Sequence, residues 1–469
     1  MPHDPTTPLD PDHWTARLSD LARRHGVPGA QLGVLRPTPD GGGETIAVAH
    51  GVLDAGTGHP VGTRSAFQIG SITKVWTATV IMGLVEEGLL TVDTPVAEIL
   101  PEAVPSEAAT TAGVTVRHLL AHTSGIDGDL FTDTGRGDDA IERYVAALPE
   151  AARVHPLGAT FSYCNSGFVL LGRIIERLTG LVWDEAMRER LFVPLGLERT
   201  GTLPEDALLH DAAIGHVTGL PEPVRAARWG LPRSVGPAGG VTADVGDVLR
   251  FAAVHLRGGV TADGTRILEE DTVRAMTEFQ VKVPDPHTLG DSWGLGWIRH
   301  DWHGHRLIGH DGNTFGQSAF LRLLPEIGTA VVLLTNGGRA RDLYRDLYGE
   351  VFDTLAGVRI QEALAPPAVP VDVDITPHLG VYENAAERLE VLKSADGPVL
   401  RVTALGPLAA LEPEPVREHP LVAVGPGVHA TRPADTLTWT PVTFYRLDTG
   451  REYVHRNGRA LPRAGSPAV

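Results

Sequence analysis

The sequence predicts an α/β (α+β) fold in two parts. A sandwich of an antiparallel sheet with flanking helices and a helical lobe comes first, and a small antiparallel β-barrel follows. Three observations predict it. Strand-like segments stand at both ends of a helical, loop-rich middle. One helical stretch, residues 71–90, is apolar on most sides, as a centrally buried helix is. The Pro-rich segment Ala365-Pro366-Pro367-Ala368-Val369-Pro370 then separates this part from roughly 100 residues of short strands and turns.

The elements follow in order. Residues 12–25 place Trp14, Leu18 and Leu21 on one helical face, with Gly26 as a stop. Gly29–Leu35 and Thr45–Ala49 read as strands around the turn Pro39-Asp40-Gly41-Gly42. Ser71–Leu90 carries Val75, Trp76, Val80, Ile81, Leu84 and Val85 at helical spacing, and Gly88 and Asp93-Thr94-Pro95 mark its exit. Residues 115–122 and 166–180 are further helical patterns. Gly236-Pro237-Ala238-Gly239-Gly240 is a loop before a helix near Asp244–Leu256. Strands are predicted at Gly294–His300, His305–His310, Ser318–Leu324 and Thr329–Thr335, and a helix at Leu343–Leu355. Beyond the linker, Leu389–Leu392, Val399–Thr403, Leu421–Val424, Val442–Leu447 and Glu452–His455 read as short strands. Asp448-Thr449-Gly450 and Asn457-Gly458 are hairpin turns. The expected division is a polar tail at 1–11, a catalytic domain at 12–364, a linker at 365–370 and a β-domain at 371–469.

Composition restricts the function. The chain has 469 residues, 42% hydrophobic and 21% charged, which describes an ordinary globular protein. The formal net charge of −18 argues against nucleic acid or an anionic membrane as partner. Met1–Asp12 lacks the basic and apolar regions of a signal peptide, and no apolar run is long enough to span a bilayer. Cys164 is the only cysteine, so no intrachain disulfide forms. A cytoplasmic location is expected.

Three short motifs carry chemistry. The first is Ser71-Ile72-Thr73-Lys74. The chain has three lysines (Lys74, Lys282, Lys393) against 37 arginines. Arg stays protonated at any working pH, whereas a buried Lys can lose its proton and take one from a nucleophile. Residues i and i+3 share a helix face, and the positive end of a helix stabilises negative charge near Ser71. Bringing a lysine from about 10.4 to about 7–8 takes about 4 kcal/mol of burial and nearby positive charge. The plainer alternative is an N-cap serine followed by a solvated lysine.

The second motif is Tyr163-Cys164-Asn165. In extended backbone Tyr163 and Asn165 point to one side and Cys164 to the other. A Tyr hydroxyl beside a cationic amine can be driven toward phenolate and act as a base. An Asn amide can hold both a lysine and a substrate carbonyl. Cys164 reads as a small core side chain. The third is His310-Asp311-Gly312-Asn313. Gly312 would let substrate approach the backbone. The Asn313 N–H could pair with that of Ser71 as an oxyanion hole, each donor worth about 3 kcal/mol. His310 could shuttle protons or polarise the site. Alone, Y-x-N is more often a buried Tyr with a turn Asn, and H-D-G is more often a turn.

Together these motifs resemble those of the penicillin-binding-protein and class C β-lactamase superfamily of serine acyl-enzyme proteins. That family carries S-x-x-K, Y-x-N and a K-T-G or H-x-G triplet in this order. Val116-Arg117-His118-Leu119-Leu120-Ala121-His122-Thr123-Ser124-Gly125, Pro237-Ala238-Gly239-Gly240 and Gly294-Leu295-Gly296-Trp297 also look like the family. The resemblance spans residues 12–358. It implies a β-lactamase-like fold with Ser71 as nucleophile, Lys74 and Tyr163 as the acid/base pair, Asn165 orienting substrate, and His310 in the K-T-G lysine position. Gly312, Asp311 and Asn313 then stand at the substrate and oxyanion side. The tail, around Leu379-Gly380-Val381-Tyr382-Glu383-Asn384, resembles the lipocalin-like β-domain appended to many such proteins.

One departure matters. His310 stands where β-lactamases and transpeptidases use a lysine to grip a substrate carboxylate, so β-lactam hydrolysis should be weak or absent. Within the superfamily H-x-G is associated with esterases, D-aminopeptidases, D-peptidases and penicillin-binding-protein-type thioesterases, which release and cyclise nonribosomal peptides. The layout resembles the thioesterases most closely. The expected substrate is a small-molecule or peptidyl (thio)ester, and a carrier protein is the further partner a tethered thioester would bring. Esterase or D-stereospecific peptidase is the alternative, and a non-catalytic binding protein of the same fold is a third reading. No cofactor or metal is expected. His118-x-x-x-His122 has the spacing of a helical metal pair but lacks a Glu at 119.

Overall fold

The computed structural model describes residues 9–38, 43–103, 113–148, 152–217, 222–409, 414–433 and 436–465. The expected turn at residues 39–42 lies outside them, as do residues 1–8 of the expected tail. The central element is an eight-stranded antiparallel sheet. Its order is Gly43–Gly51, Gly29–Pro37, Thr329–Thr335, Ser318–Leu324, His305–Asn313, Ile298–Trp302, Ser292–Trp293 and Val281–Lys282. Strands from both ends of the first part therefore pair at its middle, where Leu32 lies opposite Leu333.

Every residue of Thr329–Thr335 is buried, because both sheet faces are covered. Side chains alternate across a strand. Val331 and Leu333 pack with Trp14, Leu18 and Leu21 of helix Pro11–Arg24 and Leu343, Leu347 and Val351 of helix Ala340–Ala356. Ala330, Val332 and Leu334 face the larger core formed by the helical middle. The first helix starts where Asp10 caps the N–H groups of Asp12 and His13 and Pro11 presets the first turn.

The apolar helix runs Thr73–Glu86, and Thr73 to Met82 are all buried. Trp76 stacks on Phe251 of helix Val245–Leu256 at 4.6 Å. A 3-10 turn, Gly70–Ile72, carries Ser71 into that helix. The strand expected at Gly294–His300 begins only at Ile298. Gly294–Trp297 is instead a turn closed by Gly294 N–H donating to the Trp297 carbonyl at 2.8 Å. Gly296 has φ +87, and a Cβ there would lie 2.7 Å from Ala78 of the buried helix. Apolar Leu295 and Trp297 mimic a strand while the backbone turns.

The tail is antiparallel as expected, but two sheets form rather than one closed barrel. Gly380–Glu383, Glu387–Ser394, Gly397–Ala404 and Val416–Pro420 make the first. Val422–Gly425, Val428–Thr431, Thr440–Arg446, Glu452–Arg456 and Arg459–Pro462 make the second. The chain passes between them at Leu421, and among the described residues one bridge, Tyr382 to Arg463, joins their outer strands. Leu389, Val391, Leu400, Val442, Phe444, Val454 and Leu461 share their core. Among the described residues no helix is long and apolar enough to cross a membrane.

Candidate active site

Ser71 lies at the start of the buried helix, against the strand His305–Asn313. Two glycines permit this approach. A Cβ at Gly70, whose φ is +52, would lie 2.6 Å from Asn313 N, and one at Gly312 would lie 1.9 Å from the Ile69 carbonyl. The Ser71 and Asn313 N–H groups thus come from two segments in direct contact.

Lys74 is fully buried, and its amine lies within hydrogen-bond distance of three groups. They are the Asn165 Oδ1 at 2.7 Å, the Ala238 carbonyl at 2.6 Å and the Ser71 Oγ at 3.2 Å. Burial, then the nearby Arg459 guanidinium, push the Lys74 amine well below the ordinary lysine value, against smaller opposing effects of Asp129 and Cys164. A neutral amine has two N–H donors and one lone pair. Two carbonyl oxygens accept the two donors, so the lone pair is left to accept the Ser71 O–H.

Tyr163 is buried with its ring 4.7 Å from the Lys74 amine. Burial raises its hydroxyl above the usual tyrosine value, more than its hydrogen bond with Ser71 and the charge of Arg459 lower it. Burial thus works against the phenolate expected beside a cationic neighbour, and it disfavours the charged forms of both Lys74 and Tyr163. Asn165 begins helix Asn165–Thr179, which Cys164 caps by accepting the Gly167 N–H at 3.2 Å. Burial pushes the Cys164 thiol up to about 12.

His310 is buried, and its Nδ1–H donates to the Asp311 carbonyl at 2.7 Å. That fixes the tautomer and leaves the Nε2 lone pair unpartnered. Burial and then the neighbouring Lys74 hold its imidazole down to about 3. Asp311 lines the cavity, but its carboxylate pairs with Arg322 at 2.7 Å and Arg341 at 3.1 Å. Burial alone would raise it, and the two guanidiniums outweigh that and hold it at about 2. The Asn313 side chain turns outward, where its Oδ1 accepts from Ser318. The histidines at 118 and 122 face different partners. His118 bonds Thr115, whereas His122 accepts the Cys164 N–H and stacks on Tyr163 at 4.4 Å.

A cavity of about 420 Å³ opens over Ser71, Tyr163, Asn165 and His310. Its walls include Trp439, Asn457 and Arg459 of the tail. The sequence reading did not assign these residues, nor Asp129 or the Ala238 carbonyl. The Asn457-Gly458 turn was visible in the sequence, but where its tip lands was not.

Residues 14–354 match the Beta-lactamase family model, and the chain belongs to that family, whose members are serine hydrolases. It is 45% identical over 382 residues to penicillin-binding protein 4 of Amycolatopsis lactamdurans, covering 80% of this chain and 98% of that protein. The crystal structure of SurE superposes with a TM-score of 0.77 at 31% identity, covering 96% of this chain and 98% of SurE. The unguisins hydrolase ungD' of Aspergillus campestris is 26% identical over 349 residues, covering 71% of this chain and 62% of that protein.

Proposed function

We propose that this protein is a serine acyl-enzyme hydrolase or acyltransferase that attacks a peptide-like thioester, ester or amide carbonyl with Ser71. One observation carries the reading: the buried Lys74 amine lies 3.2 Å from Ser71 Oγ, with the Asn165 and Ala238 carbonyl oxygens at 2.7 and 2.6 Å able to take its N–H groups. Lys74 takes the Ser71 proton as the C–O bond to the acyl carbon forms. The tetrahedral oxyanion accepts hydrogen bonds from the Ser71 and Asn313 N–H groups. Tyr163 relays the proton to the leaving thiolate, alkoxide or amine as the bond to it breaks. Asn165 holds Lys74 and aligns the substrate amide. Water or an amine, donating a hydrogen bond to the His310 Nε2 lone pair, then attacks the acyl carbon; its proton passes through Lys74 to Ser71 Oγ as the Oγ–acyl bond breaks.

The particular role proposed is release and macrocyclisation of a nonribosomal peptide with a D-residue at its reacting end, delivered as a soluble or carrier-bound thioester in the cytoplasm. The D-residue preference is supported by a SurE crystal structure with D-Leu, which matches over 96% of this chain at 30% identity and a TM-score of 0.74. The neutral His310 also argues against grip on a β-lactam carboxylate. Hydrolysis is the second reading, supported by the relatives named unguisins hydrolase and esterase EstB, each 26% identical. A panel of p-nitrophenyl esters, D-aminoacyl amides, nitrocefin and peptidyl thioesters ending in a D-residue separates them by product mass. Cyclic product with little linear acid is expected. Acid release from simple esters alone would count against cyclisation, and rapid nitrocefin turnover would contradict the reading of His310.

A further inference from the structure

The C-terminal hairpin reaches into the catalytic centre. Its turn, Asn457-Gly458, has φ of +49 and +80, as a tight hairpin turn requires. The Gly458 carbonyl accepts the Tyr163 N–H at 2.8 Å, and the Ala460 N–H donates to Ser162 Oγ at 3.2 Å. The next residue, Arg459, is partly buried and lies over the Tyr163 ring at 4.8 Å. Its Nε and Nη2 donate to the two oxygens of Asp129, both at 2.8 Å, and its Nη1 donates to the Asn457 carbonyl at 2.8 Å. The fork is thus occupied by protein groups.

Asp129 is buried, and its Oδ1 also accepts the Asn165 Nδ2–H at 2.9 Å. A carboxylate can only accept, so it selects which end of the Asn165 amide faces it. The amide Oδ1 is thereby turned to Lys74. A continuous chain runs from Arg459 through Asp129 and Asn165 to the amine beside Ser71.

We propose that Arg459 is a positioning residue for the reaction: through Asp129 it fixes the Asn165 amide and keeps the Lys74 lone pair aimed at Ser71. The inference rests on Ser71 and Lys74 acting as nucleophile and base. The titratable groups facing Lys74 are Tyr163, Cys164, His122, His310, Asp129 and Arg459. Burial holds the first four neutral near pH 7. The two charges that act on the amine are therefore those of Asp129 and Arg459, and they act in opposite directions. Without Arg459, Asp129 is a buried carboxylate lacking its cation, and it stabilises protonated Lys74.

The test is the second-order rate at which a fluorophosphonate labels Ser71 in the full-length protein, followed across pH. The probe reports Ser71 reactivity apart from peptide binding, so it separates positioning from substrate grip. Arg459→Ala should move the rising limb to higher pH. At pH values on the limb, labelling then falls roughly tenfold for each pH unit by which the limb moves, and it recovers at alkaline pH. Asp129→Asn should move the limb to lower pH. Arg459→Lys keeps the charge without the fork, so its limb should stay near the wild type while the plateau drops. Labelled wild type with the Arg459→Ala and Asp129→Asn limbs unmoved, or moved the same way, overturns the inference alone. If Arg459→Ala does not fold, the other two variants decide by the same limbs. Wild type that takes no label at Ser71 overturns the acyl-enzyme reading itself.

Discussion

In the proposed reaction Lys74 is the residue on which the chemistry turns. An arginine cannot deprotonate, so a chain with 37 arginines gains from a lysine at this position only if the amine is to be neutral. Lys74→Arg or Lys74→Met should lower Ser71 acylation by roughly 10²–10⁴-fold, read as labelling rate. The two properties should separate in Lys74→Met, which removes a buried amine and should raise the thermal midpoint by roughly 2–4 °C. The sign follows from linkage. Burial makes the folded chain bind the Lys74 proton less tightly than the unfolded chain does, so this group destabilises the fold below its ordinary value near 10.4. Ser71, Lys74, Tyr163, Asn165 and His310 were all legible because residue type and spacing carry their chemistry. The Ala238 carbonyl was not, since any residue there supplies the same backbone oxygen. Asp129 and Arg459 were not, since one acid and one arginine far apart in sequence carry no mark of their pairing.

Helices position these residues through close approaches that substitution can test. Helix Asn165–Thr179 presses on the turn Gly236–Gly239, and a Cβ at Gly172 would lie 2.2 Å from the Pro237 ring. Gly172→Ala should therefore displace Pro237 and the adjoining Ala238 carbonyl. The expected result is a loss of about 1–3 kcal/mol in denaturant unfolding together with slower labelling of Ser71. Most elements were readable from periodicity. The strands Ser318–Leu324 and Thr329–Thr335 match their expected bounds because both are long, apolar and bracketed by turns. The turn at Gly294–Trp297 was misread because burial of Leu295 and Trp297 gives a turn the apolar signature of a strand.

At the scale of the whole molecule, Trp439, Asn457 and Arg459, which lie beyond the Beta-lactamase family match, supply part of the cavity wall. The linker and hairpin turns made the tail visible in the sequence. Its contact with Tyr163 was not, because docking depends on the shape of two folded parts. The fold also buries many histidines in neutral form. Burial lowers His155 to about 4 and His255, His310 and His455 to about 3, and it holds His122 and His300 well below the ordinary histidine value. Each binds a proton on unfolding below about 6.5, so stability should fall as pH drops from about 6.5 toward 4. The slope is up to about 1.4 kcal/mol per pH unit for each histidine. Thermal midpoints at pH 7.5 and 5 check this: the lower pH should give the lower midpoint.

The most direct test of the account is intact-protein mass after brief incubation with a peptidyl thioester ending in a D-residue. The account predicts a mass increase equal to the acyl group, located on the peptide containing Ser71, absent in Ser71→Ala, and decaying as product forms. Turnover of the thioester that persists in Ser71→Ala, or an adduct on another residue, would contradict it.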